Sequence, residues 1–204
     1  TKTREMFGSR LEIIEFDFLS DDPPPSHCPP DINVAYYLIH SMGSGSGFAE
    51  REQHCAQQFI SWIKPTQCRQ IIYLSGIIPQ TQPLSAHLES RQRVAELLSQ
   101  SPIPLTTLRA SIIVGSGSAS FEIIRDLVEK LPAMITPKWT RTRCQPIAIR
   151  NVISYLTGAL NNEQCLNRSF DIGGPDQLSY RDMMSQYAET RGLFRLIIPA
   201  PFFT

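Results

Sequence analysis

Short apolar runs rich in β-branched residues alternate along this chain with longer amphipathic segments. The runs have the length and composition of strands. NVAYYLIH is apolar at nearly every position before its polar end, so we expect a strand that is buried on both faces. The predicted strands are LEIIEF (11–16), NVAYYLIH (33–40), CRQIIYLSG (68–76), LTTLRASIIVG (105–115) and SFDIGG (169–174).

The segments between these runs carry apolar residues at helical spacing. For the last of them, Ser179 is a suitable N-cap and Gly192 a suitable end. Buried strands separated by helices of this length indicate parallel strands joined by crossover helices. The sequence therefore predicts an α/β fold with a doubly wound, mostly parallel sheet and helices on both faces. The predicted helices are 48–63, 85–100, 119–131, the later part of 144–160, and 179–192.

The predicted carboxyl ends of the strands are rich in Ser, His, Gly and Asp. Ligands of open parallel sheets bind beyond these ends. Small polar residues also suit any tight turn, so one such end would mean little. Four consecutive ends of this kind predict a binding crevice. They are FDF (16–18), IHSMG (39–43), LSGI (74–77) and RASIIVGSGS (109–118).

Charge argues against nucleic acid or an anionic membrane as a partner, because 19 basic and 19 acidic residues give a formal net charge of zero. A local basic cluster, Lys138, Arg141 and Arg143, leaves nucleic-acid binding as a weak alternative to a solvated loop near a substrate pocket. No apolar run approaches the roughly 20 residues of a membrane span, and no signal segment opens the chain. We expect a soluble cytoplasmic protein.

The five cysteines are odd in number, widely spaced and without a C-x-x-C pair. This pattern predicts reduced, mostly buried thiols and neither a disulfide framework nor a metal site.

The order of the segments resembles the atypical and extended short-chain dehydrogenase/reductases. This family binds NAD(P) on a Rossmann-type fold and includes nucleotide-sugar epimerases. The likeness is greatest to its divergent, epimerase-like branch, and it extends over essentially the whole chain. Its most specific parts are TTLRASIIVGSGSASFEIIRDLVEKLP (106–132) and FDIGGPDQLSYRDMM (170–184).

The resemblance implies one NAD(P)-binding domain over 1–204, with a small substrate-side portion from about 133 to 204. It implies NAD or NADP as cofactor, a small-molecule substrate and a homodimer. PKWTRTR (137–143) and QPIAIR (145–150) are expected to line the substrate pocket, where three basic residues favour an anionic or phosphorylated ligand.

The resemblance also implies the cofactor-binding residues. Residues after the third family strand contact the adenine end, here Asp17 and Phe18; alternatively, Asp17 caps a turn before Pro23. The end of the next strand passes under the dinucleotide, although His40 there is equally well a polar turn residue. The full expected set is Asp17, Phe18, Ile39, His40, Ser41, Ser75, Arg91, Arg109, Ala110 and Ser111.

The glycine fingerprint of the family is missing. The family opens with a strand, a Gly-rich turn and a helix whose N-terminus receives the pyrophosphate. No G-x-G-x-x-G precedes LEIIEF (11–16). We therefore expect the first two strands to be absent from the chain and the chain to be a fragment. The residue that would select NAD or NADP belongs to that region.

The catalytic pattern is altered as well. The family uses a Ser and a Tyr-x-x-x-Lys pair, in which Lys lowers the pKa of Tyr. Here Ser75 is present, but His87 and Arg91 occupy the spacing of Tyr and Lys. His87 could exchange a proton near neutral pH, and Arg91 could bind ribose while disfavouring a protonated His beside it.

Two functions remain open. One is an NAD(P)-dependent oxidoreductase or epimerase that uses Ser75, His87 and Arg91. The other is a catalytically lapsed NAD(P)-binding regulator or accessory subunit, on whose helix the His and Arg are polar surface residues.

Overall fold

The computed structural model describes residues 6, 8–20, 22–23, 29–39, 47–79 and 84–200. Its regular elements follow the predicted alternation. In chain order they are β1 (Val34–Tyr37), α1 (Phe48–Ile63), β2 (Gln70–Gly76), α2 (Ala86–Ser99), β3 (Leu105–Ala110), β4 (Ile113–Val114), α3 (Ala119–Lys130), β5 (Ala133–Thr136), β6 (Arg143–Cys144), β7 (Ile147–Ala148), α4 (Ile149–Gly158), β8 (Arg168–Ile172), β9 (Leu178–Ser179), α5 (Tyr180–Thr190) and β10 (Leu196–Pro199).

The main sheet has the strand order β1-β2-β3-β8, and all its strands are parallel. Helices α1 and α2 connect its first three strands as crossovers. Parallel strands joined by helices on their faces form a doubly wound Rossmann-type architecture. The predicted fold class is confirmed.

Helices α1 and α2 cover one face of the main sheet. Tyr37, Ile71 and Tyr73 of the strands form a buried cluster with Phe59 of α1 and Leu98 of α2. The period-2 alternation of strand side chains directs these strand residues to the same face. The packing of this cluster therefore fixes the distance between α2 and the carboxyl end of β2.

Helix α4 covers the other face, where a buried glutamine joins it to the sheet. The Gln70 amide donates to the Ala159 carbonyl at 2.8 Å and to the Thr106 hydroxyl at 3.0 Å, and its oxygen accepts from the Asn161 N–H at 2.9 Å. Because the buried amide is fully paired, its desolvation is offset. This polar anchor sits beside an apolar cluster that includes Leu108 and Val152.

A third cluster lies away from the main sheet. Helices α3 and α5 pack together through Ile124, Val128, Met183 and Met184. The short parallel pair of β5 and β10 borders this cluster. These two strands were not predicted from the sequence, because runs of only four residues carry little periodic signal.

The prediction of a strand at 11–16 is wrong, since residues 11–17 have no regular structure. A strand needs a hydrogen-bonded neighbour, and these residues pair with none in the part of the chain that the structure describes. Instead, Phe16 and Phe18 fold onto Trp62 of α1, with ring centroids 4.5 and 5.0 Å from the indole.

The prediction that NVAYYLIH is buried on both faces is also wrong. Only Tyr37 of the strand β1 is fully buried, while Tyr36 is 37% and the following Leu38 53% exposed. The strand lies at the edge of the described sheet, so no neighbouring strand covers its outer edge. The predicted strand 105–115 is divided into β3 and β4, which pair with different partners.

No helix among the described residues is long and apolar enough to cross a membrane. Of the described cysteines, Cys55 is buried and Cys68, Cys144 and Cys165 are half-buried, and all four are free thiols.

Candidate active site

The carboxyl ends of three main strands bring two predicted site residues, Ser75 and Arg109, into one row with Asp171. Ser75 of β2 is level with Arg109 of β3, which is level with Asp171 of β8. Side chains that are level in a parallel sheet project from the same face. The row continues as backbone hydrogen bonds beyond the strands, with Ile77 N–H donating to the Ala110 carbonyl at 3.1 Å. The predicted crevice edge is therefore built as one continuous structure.

Ser75 is buried at this edge, with 4% of its surface exposed. Helix α2 lies above it. A Cβ placed on the neighbouring Gly76 would be 3.8 Å from the Arg91 Cδ and 3.6 Å from a methyl of Leu88. The side chain of Arg91 thus reaches Gly76 at the end of β2. Its guanidinium makes no ion pair with any carboxylate that the structure describes.

His87 lies on the first turn of α2, which begins after the N-cap Ser85. The imidazole is exposed and tilts against the ring of Phe48, the first residue of α1, with 4.7 Å between ring centroids. The spacing of four residues still places His87 and Arg91 on one side of the helix. In this structure the histidine contacts an aromatic neighbour and the arginine reaches the strand end.

Arg109 is already engaged. Its Nε donates to the Asp171 carboxylate at 2.6 Å, and both side chains are partly exposed. Ala110 next to it is buried. The Ser111 hydroxyl accepts the backbone N–H of Gln145 at 3.2 Å. These predicted cofactor positions therefore form part of the framework at the crevice edge.

Two glycines at the end of β8 admit the segment before α4. A Cβ on Gly174 would lie 2.1 Å from the Pro146 carbonyl oxygen, and one on Gly173 would lie 2.9 Å from the Gln145 Cβ. Both distances are shorter than a van der Waals contact, so only glycine fits. The Gln145 side-chain amide also donates to the Gly174 carbonyl at 3.3 Å. QPIAIR and DIGGP carry no sequence signal that they meet, because their contact is a close approach of two segments that are distant along the chain.

The residues predicted to contact the adenine end and to lie under the dinucleotide have different surroundings in the structure. The Asp17 carboxylate accepts the N–H of Leu19 at 2.9 Å, which is the turn-capping alternative. Phe18 packs on Trp62. Ile39 lies beyond the end of β1 and is 36% exposed. The predicted residues His40 and Ser41 lie outside the described residues.

The basic cluster lies after β5. Lys138, Arg141 and Arg143 are exposed. Between them, Trp139 is also exposed and its ring meets Tyr180 edge-on, with centroids 5.3 Å apart. None of the three basic side chains forms an ion pair within the part of the chain that the structure describes.

The described residues contain no group of three or more His, Cys, Asp or Glu that could hold a metal ion. A groove of about 480 Å³ lies at the amino ends of β3 and β8, lined in part by Ser101, Pro104 and Asn167. It is at the opposite end from Ser75, and the carboxyl-end rule for parallel sheets assigns no ligand there.

Solved structures show what this architecture is similar to. The chain superposes on UDP-glucuronic acid 4-epimerase from Bacillus cereus, solved with UDP-glucuronic acid and NAD, with a TM-score of 0.76 at 20% identity over 97% of this chain and 71% of that chain. The chain has the fold of this epimerase. UDP-glucose 4-epimerase from Thermotoga maritima, solved with UDP-glucose, gives a TM-score of 0.66 at 11% identity over 83% of this chain and 64% of that chain.

A third fold neighbour is an NAD-dependent NDP-hexosamine 5,6-dehydratase of tunicamycin biosynthesis, with a TM-score of 0.64 and 13% identity over 84% of this chain and 64% of that chain. No protein-family model and no curated protein matches the sequence. The likeness of this chain to these proteins is therefore one of fold, at low sequence identity.

Proposed function

We propose that the protein binds NAD or NADP and acts as an oxidoreductase or epimerase on a small anionic substrate. The observation that carries the proposal is that the Arg91 side chain reaches Gly76 at the carboxyl end of β2, the residue that follows the buried Ser75. Open α/β sheets bind their ligands at this end, and solved epimerases of the same fold contain NAD. A homodimer and a cytoplasmic location are part of the same proposal.

The residues fit a dinucleotide in two respects. Arg91 offers a guanidinium without an ion-pair partner among the described carboxylates, which suits ribose hydroxyls or a phosphate. Ile39 offers exposed apolar surface beyond β1. The cofactor, when bound, would accept or return a hydride.

The chain's own groups would then act on the substrate oxygen. The Ser75 hydroxyl donates a hydrogen bond that polarises it, and Arg91 holds the cofactor side. His87 moves the proton, as histidine side chains do most often in general acid-base catalysis. Its ring lies against Phe48, so this role requires a rotation of the imidazole toward Ser75.

The substrate class follows from the loop after β5. Lys138, Arg141 and Arg143 place unpaired positive charge beside the exposed ring of Trp139. Cations and an aromatic face together suit an anionic ligand with a planar ring. The UDP-sugars in the solved epimerases are ligands of this chemistry. We propose them as the first substrates to assay.

The second candidate is a catalytically lapsed NAD(P)-binding protein. The observation that favours it is the contact of His87 with Phe48, which turns the proposed proton carrier toward α1. In this alternative Arg91 still binds the cofactor and His87 has no chemical role.

The first experiment measures NADH and NADPH binding by fluorescence titration and thermal shift. We expect Arg91→Ala to weaken binding about tenfold, as the loss of a charged hydrogen bond does. Arg93→Ala is the matched control, because Arg93 is exposed on the same helix; its affinity should stay within about twofold of wild type. Absence of binding by wild type would overturn the proposal and its alternative together.

Activity then separates the two candidates. With a bound nicotinamide cofactor, turnover of UDP-glucose or UDP-glucuronic acid that falls about 100-fold in His87→Ala would support the enzyme, since general acid-base groups contribute on this scale. Cofactor binding without turnover, or turnover unchanged in His87→Ala, would remove His87 from the mechanism.

A further inference from the structure

A tyrosine with an unused hydroxyl lies beside the basic loop of the proposed substrate site. Tyr180 is the first residue of α5, and its half-buried ring packs against the cluster between α3 and α5. The exposed indole of Trp139 meets this ring edge-on, with 5.3 Å between centroids. The Tyr180 phenol forms no hydrogen bond with any residue that the structure describes. Because tyrosine hydroxyls that are drawn into a protein usually find a partner, this hydroxyl is available to a ligand.

Backbone pairing joins the start of α5 to the basic loop. Arg143 of β6 is level with Ser179 of β9, the residue before Tyr180, in a short antiparallel pair. The Cys144 thiol donates to the Leu178 carbonyl of the same pair at 3.4 Å. Level residues of an antiparallel pair lie about 5 Å apart, so Arg143 is a close neighbour of the Tyr180 backbone.

Side-chain hydrogen bonds within the protein hold both halves of this arrangement. Thr140 in the loop is 2% exposed, and its hydroxyl donates to the Pro137 carbonyl at 2.6 Å. In the first turn of α5, the Arg181 guanidinium donates to the Ile197 carbonyl of β10 at 3.2 Å. The segments that carry the two aromatic rings are therefore fixed by the fold, which lowers the entropy cost of binding a ligand between them.

The Tyr180 phenol is an uncharged hydrogen-bond donor. Burial raises its pKa, and the neighbouring Cys144 raises it further. The hydroxyl therefore stays protonated at neutral pH and suits a carbonyl oxygen of a ligand. The guanidinium of Arg143 suits a phosphate instead. An aromatic face, a hydroxyl donor and a cation together match a nucleotide base with a ring carbonyl and the phosphates attached to it.

We propose that Tyr180 determines ligand specificity, with its phenol donating a hydrogen bond to a ring carbonyl of a nucleoside diphosphate whose base lies against Trp139 and whose phosphates pair with Arg143. The inference rests on the proposed function, which assigns an anionic, ring-bearing substrate to this loop. It adds the residue that recognises the ring itself.

Tyr187 supplies the matched control. It lies about two turns further along the same helix, and its hydroxyl donates to the Glu129 carboxylate of α3 at 2.7 Å. A Tyr→Phe change at either position keeps the ring and removes one hydroxyl. Only the change at Tyr180 removes a hydroxyl from the ring that contacts Trp139.

The experiment measures the dissociation constants of UDP and of inorganic pyrophosphate by titration calorimetry, with melting temperatures as a check on folding. We expect Tyr180→Phe to weaken UDP binding about three- to tenfold, the effect of one net hydrogen bond, and to leave pyrophosphate binding within about twofold of wild type. Arg143→Ala should weaken both ligands about tenfold, because it removes a charged contact to phosphate. Tyr187→Phe should stay within about twofold for both ligands.

The outcomes distinguish the inference from the function it rests on. If wild type does not bind UDP, the inference and the proposed substrate class fall together, whether or not NADH binds. If wild type binds UDP and Tyr180→Phe binds it equally well, the inference is overturned and the proposed function stands. Equal losses of UDP and pyrophosphate affinity in Tyr180→Phe also overturn it, since the phenol would then act on the phosphates or on packing and not on the ring.

Discussion

At Gly174, the backbone of a distant segment decides that no other residue type fits. The carbonyl of Pro146 occupies the space that any Cβ at this position would need. This approach closes the wedge between β8 and the segment before α4, next to Ser111 and Gln145. The glycine therefore supports the rim of the proposed crevice without contacting a ligand.

We expect Gly174→Ala to lower the free energy of unfolding by about 2 kcal/mol, the scale of an overpacked site that must move backbone atoms. Gly158→Ala is the matched control, because Gly158 ends α4 and nothing lies within 4 Å of an added Cβ there. Alanine is the better helix former, so this change should be neutral or stabilising by up to about 1 kcal/mol. Urea unfolding measures the change in the free energy of unfolding for both variants. Equal changes would contradict the close approach of Pro146 to Gly174.

At the same scale, the proposed reacting residues have unequal support. Arg91 reaches the end of β2 and its backbone contacts Tyr73, whereas His87 rests on Phe48. Their spacing predicted a shared helix face correctly. It could not predict which of the two side chains would reach the end of β2, because that depends on how α1 and β2 pack against the helix.

At the scale of elements, local hydrogen bonds cap one helix and a side chain distant along the chain caps another. Helix α5 begins at a capping box in which the Asp182 N–H donates to the Ser179 hydroxyl at 3.1 Å, and the Asp182 carboxylate accepts the Ser179 N–H at 2.9 Å. Helix α3 ends differently. The distant Arg195 guanidinium donates to the carbonyls of Val128 and Glu129 in its last turn. The first cap was predicted at Ser179, and the second depends on a tertiary contact.

The capping box gives a pH-dependent prediction. Hydrogen bonds from Ser179 lower the pKa of Asp182 below its ordinary 3.8. A carboxyl with a lowered folded pKa stabilises the fold above its unfolded pKa, and this contribution is lost as the pH falls through the folded value. Asp182→Ala should therefore cost about 0.5–1 kcal/mol at pH 7, and the cost should decrease as the pH falls below the ordinary carboxyl pKa of 3.8.

The control for this variant is Asp176→Ala, an exposed acidic residue just before the same helix. Its effect should stay within about 0.5 kcal/mol at either pH, as is usual for surface substitutions. Chemical denaturation at pH 3, 5 and 7 makes the comparison. An Asp182→Ala effect that is the same at pH 3 and pH 7 would show that the carboxylate charge does not stabilise the helix.

At the scale of the whole molecule, the main sheet has one apolar side that the described chain leaves open. Tyr36 of β1 is exposed, and its phenol donates to the Leu156 carbonyl of α4 at 3.0 Å. Along that helix, Ile149 and Ile153 are also exposed. They lie four residues apart, so strand edge and helix stripe form one apolar surface. Surfaces of this kind mark contacts with another chain or segment.

We expect the 204-residue chain to self-associate through this surface, consistent with the proposed homodimer. Ile153→Lys should shift the sedimentation profile toward monomer at a given concentration, because it places a charge in the contact. Since Ile153 is 52% exposed, the melting temperature should change by no more than about 2 °C. Ser154→Lys, on an exposed polar position of the same helix, is the control and should sediment like wild type. A monomeric wild type would contradict the prediction.

Much of this architecture follows from the sequence alone. The 3.6-residue pattern predicted α1, α2, α3 and α5 within two residues at each end. The continuous apolar runs predicted β2 and β3, because strands covered on both faces need apolar residues at successive positions. The sequence also predicted Ser75 at the end of β2 and Arg91 on α2 as site residues, and their role stays a prediction. Periodicity and turn chemistry are local properties, so a sequence displays them directly.

Only the tertiary structure decided the rest. An apolar run becomes a strand only if another strand pairs with it, so 11–16 is irregular although its composition matches that of β2. The strands β5 and β10 exist because two distant segments meet at Ile135 and Ile198. The contact of Tyr73 with the Arg91 carbonyl, and of Gly174 with Pro146, likewise joins separate elements. Such contacts depend on the packing distance between elements, a quantity that no stretch of sequence contains by itself.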